Sequence, residues 1–494
     1  MFQFFNKFLR SSYFRYVYLI ILVLITTFIS VRFLLPESLR LDESQSIWQS
    51  NHPYLEMLQW LARDVHMPLY ATMLHFWMQV FGNEIYSNRI LSLLFHLMSI
   101  PMVFALTLSI TKKQKVGLFV ATMFTVSPFL NWFGSELRMY SLFTFLSLVS
   151  SYFFVRIIDS KEIKKQTWIG YGIATILGVY THYLFIVFVF CQLLFLVFNR
   201  YILNRQNWIR LFTVFFGVFV GFVPWFGYVV YINSAGSQAP RLAKPSTSDL
   251  FNVYSNHIFG FQDDFWNTII LSFWPLAGLF CIYFLQKKSI TIKPKYTYLI
   301  LMTFLPTAIL FIVSTLLTSV FLSRYLIMAL PPLFILIASL LYSQQTRILQ
   351  FLRVVLILGM IAGLFIQTTN PNTFVKEDYR GVINYIISKA NKNDIVAIST
   401  PFTIYPFDYY YNGSSRITTI PDWNRKTTIP KFSEDGLNTQ LDGLSKDYTN
   451  LYLVLSYDQG YEKNVKSIVD SRLTEIDQKK FPPNIKLIVY KFKK

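Results

Sequence analysis

FRYVYLIILVLITTFISVRFLLPESLRLDE, residues 14–43, sets the architecture of the chain. From Val17 to Leu35 the run is apolar and broken by charge only at Arg32. About 20 such residues in a helix cross the hydrocarbon core of a bilayer, so this is a first membrane span. It is longer than a signal-peptide core and lacks a small-residue cleavage pattern, so it is expected to remain in the protein. Lys7, Arg10 and Arg15 precede or open it, which predicts a cytoplasmic N-terminus. Asp42-Glu43, a few residues past its other end, then falls on the outer side.

Apolar stretches recur almost without pause from there to Gln367. Apolar residues make up 53% of the 494 and aromatics 18%, with a mean hydropathy of +0.41, too oily for a soluble protein of this length. The pattern predicts an α-helical polytopic membrane protein with about eleven spans, near 14–35, 86–110, 116–133, 139–158, 167–181, 182–199, 209–232, 266–285, 296–317, 325–343 and 348–367. The span near 167 is short and either tilts or fuses with its neighbour through Thr181-His182. A membrane domain over 1–367, with an outer loop at 36–85, is expected to precede an extracytoplasmic α/β domain over 368–494.

The net charge of +19 reflects short cationic clusters between spans. Lys112/Lys113/Lys115, Arg156/Lys161/Lys164/Lys165, Arg200/Arg205/Arg210, Lys287/Lys288/Lys293/Lys295 and Arg347/Arg353 all fall at cytoplasmic connections once the N-terminus is inside. The charge therefore points to a membrane protein with no nucleic-acid partner. Cys191 and Cys281 each sit inside an apolar run without neighbouring ligands and read as small buried hydrophobes.

Ser44–Trp60 and Pro68–Phe81 in the first loop have helical, aromatic-rich spacing and are expected to lie on the membrane surface. The 233–265 loop, with its Ser-Ala-Gly-Ser and Lys-Pro-Ser-Thr-Ser stretches, reads as a mobile gate. In the last quarter, Val382, Ile383, Ile386 and Ile387 form a helical stripe over Asp378–Ala390. Asp394–Thr400, Leu451–Tyr457 and Ile485–Phe492 read as strands of a mixed sheet. That region has no phosphate loop, metal spacing or nucleophile elbow, which favours a structural or acceptor-presenting role.

The ionisable groups at the outer ends of the spans are the candidates for chemistry, because such groups are costly near hydrocarbon. Asp42-Glu43 can take a proton from a hydroxyl or leave room for a divalent metal; the plainer reading is a loop whose Asp caps a helix from Ser44. Asp64 and His66 precede Pro68, which suits the first turn of a helix and leaves His66 near its positive end. Glu136 and Arg138 either pair with each other or leave Arg138 to a phosphate. His182 interrupts an apolar stretch and by itself reads as a packing residue. Arg324 offers a second cation and, with Tyr325, also reads as an interfacial anchor.

Taken in order, these segments resemble the polytopic C-type glycosyltransferases, specifically bacterial relatives of the protein O-mannosyltransferases and the lipid A aminoarabinose transferase. Leu41-Asp42-Glu43 resembles the family's acidic pair. Asp64-Val65-His66-Met67-Pro68-Leu69-Tyr70, followed by His75-Phe76-Trp77, Phe81-Gly82 and Asn88-Arg89-Ile90-Leu91-Ser92, resembles its "HPPLYY…G" stretch, with Met67 in place of a second proline. Glu136-Leu137-Arg138-Met139-Tyr140-Ser141-Leu142 resembles "EARMYSL", and Thr181-His182-Tyr183 and Arg324-Tyr325-Leu326 match later positions.

The resemblance implies a polyprenyl-phosphate sugar donor taken from membrane lipid and an extracytoplasmic acceptor, which is a protein, a lipid or a cell-wall glycan. It assigns Asp42 as general base of an inverting transfer, unless the acceptor is itself a phosphate, in which case Asp42 orients the sugar. Arg138 and Arg324 would stabilise the departing phosphate. Glu43, Asp64, His66, Glu136, Tyr140, His182 and Tyr325 would bind substrate, with no cofactor required. A transporter of lipid-linked sugars is the alternative from another class, with the same cavity and no covalent change.

Overall fold

The computed structural model describes residues 12–64, 66–160, 162–232, 242–262, 269, 293–371, 373, 375–425 and 427–493. The expected 266–285 span apart from Ile269, Cys281, Ser234–Ser237 and the cations Lys7, Arg10, Lys161, Lys287 and Lys288 lie outside these residues. The chain divides into two compact units. The first, helical unit comprises residues 1–36, 66–231 and 242–369; the second comprises 37–65, 232–241 and 370–494.

Among the described residues, the first unit has seven helices long and apolar enough to cross a membrane, or eight when one bent pair counts as a span. The protein is a multi-pass membrane protein. The seven are Tyr13–Leu34, Ile85–Thr111, Tyr140–Asp159, Arg205–Ile232, Pro294–Leu316, Ser323–Leu341 and Arg347–Thr369. Two further expected spans form shorter helices, Lys165–Thr181 of 17 residues and Phe185–Phe198 of 14. His182 divides them with an extended backbone.

The expected 116–133 span is helical but broken. Gln114–Val126 and Pro128–Ser135 meet at 60°. Pro128 has no N–H to continue the first helix and instead opens the second. The freed groups find partners: Ser127 Oγ accepts from the Leu130 N–H at 3.2 Å, and Asn131 Nδ2 donates to the Thr125 and Ser127 carbonyls, each at 2.8 Å. Gln367 Nε2 reaches the Pro128 carbonyl at 3.1 Å. In hydrocarbon, unsatisfied backbone is expensive, so these side chains make the break tolerable.

Ile85–Thr111 packs along Tyr140–Asp159, which in turn packs on Lys165–Thr181. A buried polar chain crosses four helices: Tyr171 donates to Gln192 at 2.7 Å, Gln192 to Tyr298 at 3.2 Å, and Tyr298 to Ser151 at 2.9 Å. Such bonds join helices where lipid supplies little hydrophobic drive. Arg205–Ile232, by contrast, exposes Phe212, Phe216, Phe219 and Phe226, as a lipid-facing helix should. Within the loop read as a gate, Thr247–Phe259 is a helix. Ser246 and Asp249 form a reciprocal cap there, a signal hidden among residues read only as turn formers.

The second unit is built on a five-stranded mixed sheet: β1 Asp394–Ser399, β2 Arg416–Thr419, β3 Asn450–Leu455, β4 Thr474–Phe481 and β5 Ile485–Lys491, in the order β2-β1-β3-β5-β4. β1 is parallel to β2 and β3, and β5 is antiparallel to β3 and β4. Strand alternation sends Val396 and Ile398 to one face with the Tyr379–Lys389 helix, and Ile395 and Ala397 to the other with Leu437 and Val465. The first face also buries Leu41 and packs against Trp48, both from the Leu41–Ser50 helix.

Candidate active site

The candidates divide between the units. In the second unit, Asp42 and Glu43 lie in the first turn of the Leu41–Ser50 helix, so the helix begins three residues before the expected Ser44. Arg40 occupies the capping position. Glu43, 1% exposed, turns back to accept from the Arg40 N–H at 3.0 Å. Asp42 is partly exposed. Asp64 closes the following helix and accepts from Gln45 Nε2 at 2.8 Å and Gln49 Nε2 at 3.1 Å, two amides one helical turn apart.

In the first unit, Pro68 opens the Pro68–Phe81 helix as its sequence suggests, and His66 stands two residues before it. Glu136 and Arg138 occupy the short link between Pro128–Ser135 and Tyr140–Asp159. The Arg138 guanidinium meets His66 Nε2 in a short hydrogen bond. Beneath it, the Arg138 carbonyl accepts from Ser92 Oγ at 3.2 Å, and Ser92 shares a 2.6 Å hydrogen bond with Tyr70. Arg138 and Glu136 are both buried, and Tyr140 is fully so.

His182 stacks on Phe143 with centroids 5.1 Å apart and planes 11° from parallel. It meets Tyr325 edge-on at 5.4 Å and Tyr140 at 6.4 Å. Its Nδ1 accepts from the Leu184 N–H at 3.2 Å. His66, Arg138 and Arg324 all lie within its electrostatic reach. Arg324 covers the Tyr325 ring at 5.7 Å, on a 3₁₀ turn over Ser323–Ala329 that is held by Asn256 and His257 through Ser323. The first unit thus brings His66, Arg138, Tyr140, His182, Arg324 and Tyr325 into one neighbourhood of fixed cations and aromatic faces, an arrangement that receives an anion and holds a ring.

Two further residues of the motif segments bond to backbone carbonyls. Arg89 donates to the Leu34 and Leu35 carbonyls at 3.3 and 2.9 Å, closing the end of the first span. Trp77 donates to the Ser87 carbonyl at 3.0 Å. Among the described residues no three His, Cys, Asp or Glu side chains gather as metal ligands. The sequence reading did not single out Phe143, which lies inside an apolar helix, Glu377, which lies in a polar segment, or Tyr457, which only closes the Leu451–Tyr457 run read as a strand. Glu377 binds the start of the Asp42 helix, and only the folded chain reveals it.

Residues 65–228 match the family of dolichyl-phosphate-mannose-protein mannosyltransferases, a segment that contains His66, Glu136, Arg138, Tyr140 and His182. No curated protein sequence matches the chain. Among solved structures, ArnT from Cupriavidus metallidurans in the apo state superposes with a TM-score of 0.62 at 13% identity, over 97% of this chain and 98% of that one. The same protein bound to undecaprenyl phosphate gives 0.59 at 12% identity, with the same coverage. The Archaeoglobus fulgidus oligosaccharyltransferase in complex with Zn and sulfate gives 0.51 at 11%, over 94% of this chain and 72% of that one. The resemblance to polytopic C-type glycosyltransferases carried by the motifs is therefore matched by the fold, which is that of ArnT over nearly the whole chain, and by the mannosyltransferase family over residues 65–228.

Proposed function

We propose that this protein is an integral-membrane glycosyltransferase that moves a sugar from a polyprenyl-phosphate donor to an extracytoplasmic acceptor. The observation that carries the reading is the cluster of Arg138, His66, His182 and Arg324 in the first unit, most of it inside the family-matched segment. Support for the donor class comes from the fold, shared with a protein solved bound to undecaprenyl phosphate.

In the proposed reaction, the acceptor oxygen attacks the anomeric carbon from the face opposite the phosphate. The bond from that carbon to the phosphate oxygen breaks, and its electron pair leaves on the lipid phosphate. Asp42 takes the proton of the acceptor hydroxyl, and the configuration inverts. Arg138 and Arg324 hold the charge that grows on the phosphate, where fixed guanidinium groups need no reorganisation. His66 orients Arg138, and the His182, Tyr140 and Tyr325 rings receive the sugar or polyprenyl face. Glu43, Asp64 and Glu136 hold the acceptor side and the local fold. No step runs through a metal ion. In this reading the N-terminus is cytoplasmic and the 370–494 region extracytoplasmic.

The test is transfer of radiolabelled sugar from a panel of polyprenyl-phosphate sugars by the purified protein in lipid, with membrane-extract acceptors. Wild-type transfer that is lost in a folded Asp42→Asn protein supports the reading. Equal transfer by Asp42→Asn, or no donor consumed across the panel, refutes it.

A further inference from the structure

One buried carboxylate ties the turn that carries Asp42 to the C-terminal half of its unit. Glu377, 5% exposed, accepts from the Leu41 N–H at 2.9 Å, from Arg40 Nε at 3.0 Å and from the Tyr457 hydroxyl at 2.6 Å. It also pairs with the terminal nitrogen of Arg40 at 3.0 Å. Leu41 is the first residue of the helix, and its N–H is among the amides with no carbonyl partner inside the helix. A carboxylate at that point satisfies the donor and meets the positive end of the helix.

The contacts around it repeat the arrangement. Lys376 pairs with Glu37 at 2.8 Å. The Arg380 N–H reaches Ser38 Oγ at 3.1 Å, its guanidinium reaches the Glu37 carbonyl at 3.0 Å, and the Tyr410 hydroxyl accepts from the Leu39 N–H at 2.8 Å. With Glu43 bound back to Arg40, the backbone on both sides of Asp42 is fixed. Tyr379, which is buried, and Tyr457, which is partly exposed, lie within electrostatic reach of Asp42 and Glu377 together.

Packing alone does not call for this chemistry. A buried ion pair is often matched or bettered in stability by apolar side chains of similar volume, so its benefit lies elsewhere than in raw stability. What Glu377 supplies is direction: four fixed bonds set the azimuth of the first helical turn, and so the orientation of the Asp42 carboxylate. We propose that Glu377, acting with Arg40 and Tyr457, is a positioning residue for Asp42, which makes the C-terminal region a working part of the transferase. This rests on the reading of Asp42 as general base.

Five full-length proteins in lipid test it: wild type, Asp42→Asn, Glu377→Gln, Asp42→Glu and Asp42→Glu/Glu377→Gln, the last compared with Asp42→Glu. Glu377→Gln is expected to lower kcat by about 10- to 100-fold while the donor KM moves less than about threefold. In the Asp42→Glu background, where the base is already displaced by a methylene, the same change should cost less than about threefold, because coupled residues are not additive. Full additivity, or a wild-type kcat for Glu377→Gln, overturns the proposal. Wild-type transfer by Asp42→Asn instead overturns the underlying reading, whatever Glu377→Gln does. Should Glu377→Gln fail to fold, Tyr457→Phe, which removes one hydrogen bond and keeps the ion pair, carries the same comparison.

Discussion

Arg138 shows why residue type matters at this site. It is buried, and its guanidinium engages the His66 ring, so in the proposed reaction the donor phosphate would meet a cation already oriented and largely stripped of water. Arg138→Lys keeps the charge and loses the planar fork. It is expected to lower kcat/KM by about 10- to 100-fold, the worth of a charged hydrogen bond or two, and initial transfer rates would show it. A rate equal to wild type would make Arg138 a packing residue. His182→Phe preserves the stack on Phe143 and removes both ring nitrogens. The folded variant should lose transfer, with a melting temperature lowered only as far as the orphaned Leu184 N–H requires; if transfer persists, the ring serves only as packing. The ionisable members of the cluster were legible in the sequence because charge and imidazole are rare between apolar spans. Phe143 was not, since one more phenylalanine in a helix of phenylalanines carries no mark. Glu377 was hidden for the opposite reason, as an acid in a polar linker whose partners at 40, 41 and 457 are remote along the chain.

Single elements depend on close approaches that composition does not display. A Cβ on Gly134 would stand 2.4 Å from the His96 ring, which is itself buried on the Ile85–Thr111 helix. Gly134→Ala is expected to cost about 1–3 kcal/mol by overpacking, seen as a lower thermal midpoint. An unchanged midpoint would show that His96 moves aside. In the second unit, burial raises the Asp470 carboxyl pKa, but hydrogen bonds from Lys466 and Tyr490 outweigh it and hold the group below its ordinary value. A carboxyl depressed in the folded state adds stability above its unfolded pKa of about 4 and loses it as pH falls through the lower folded value. Asp470→Asn should therefore flatten the acid side of a melting-temperature profile, and an unaltered slope would count against the pairing. β1, β3 and β5 were readable because each is a dense run of branched and aromatic residues buried in the sheet. β2 is only four residues long, and β4 is exposed along all but its last residue, so neither has an apolar signature. The 434–447 and 462–472 helices escaped for a related reason, with only two buried residues each.

Across the whole molecule, orientation is the claim that the cationic loops support most directly. Single cysteines at Gln459 and Ser160 should separate the faces: a membrane-impermeant maleimide is expected to label Gln459→Cys in intact cells and Ser160→Cys only after permeabilisation. The reverse pattern would invert the proposed topology. Among the described residues seven of the apolar runs were legible as spans, while the lengths of others were not, because hydropathy averages across breaks such as Ser127-Pro128 and the Thr181-His182 turn. The break at Ser127-Pro128 bears on how the protein is made. Its two helices have 13 and 8 residues, each well short of the ~20 that partition into a bilayer unaided. The buried Pro128 carbonyl at the break is closed by Gln367, which is synthesised more than two hundred residues later. Until that helix arrives the carbonyl lacks this partner, so a lesion near the end of the membrane region is expected to be felt as a biogenesis defect at its beginning.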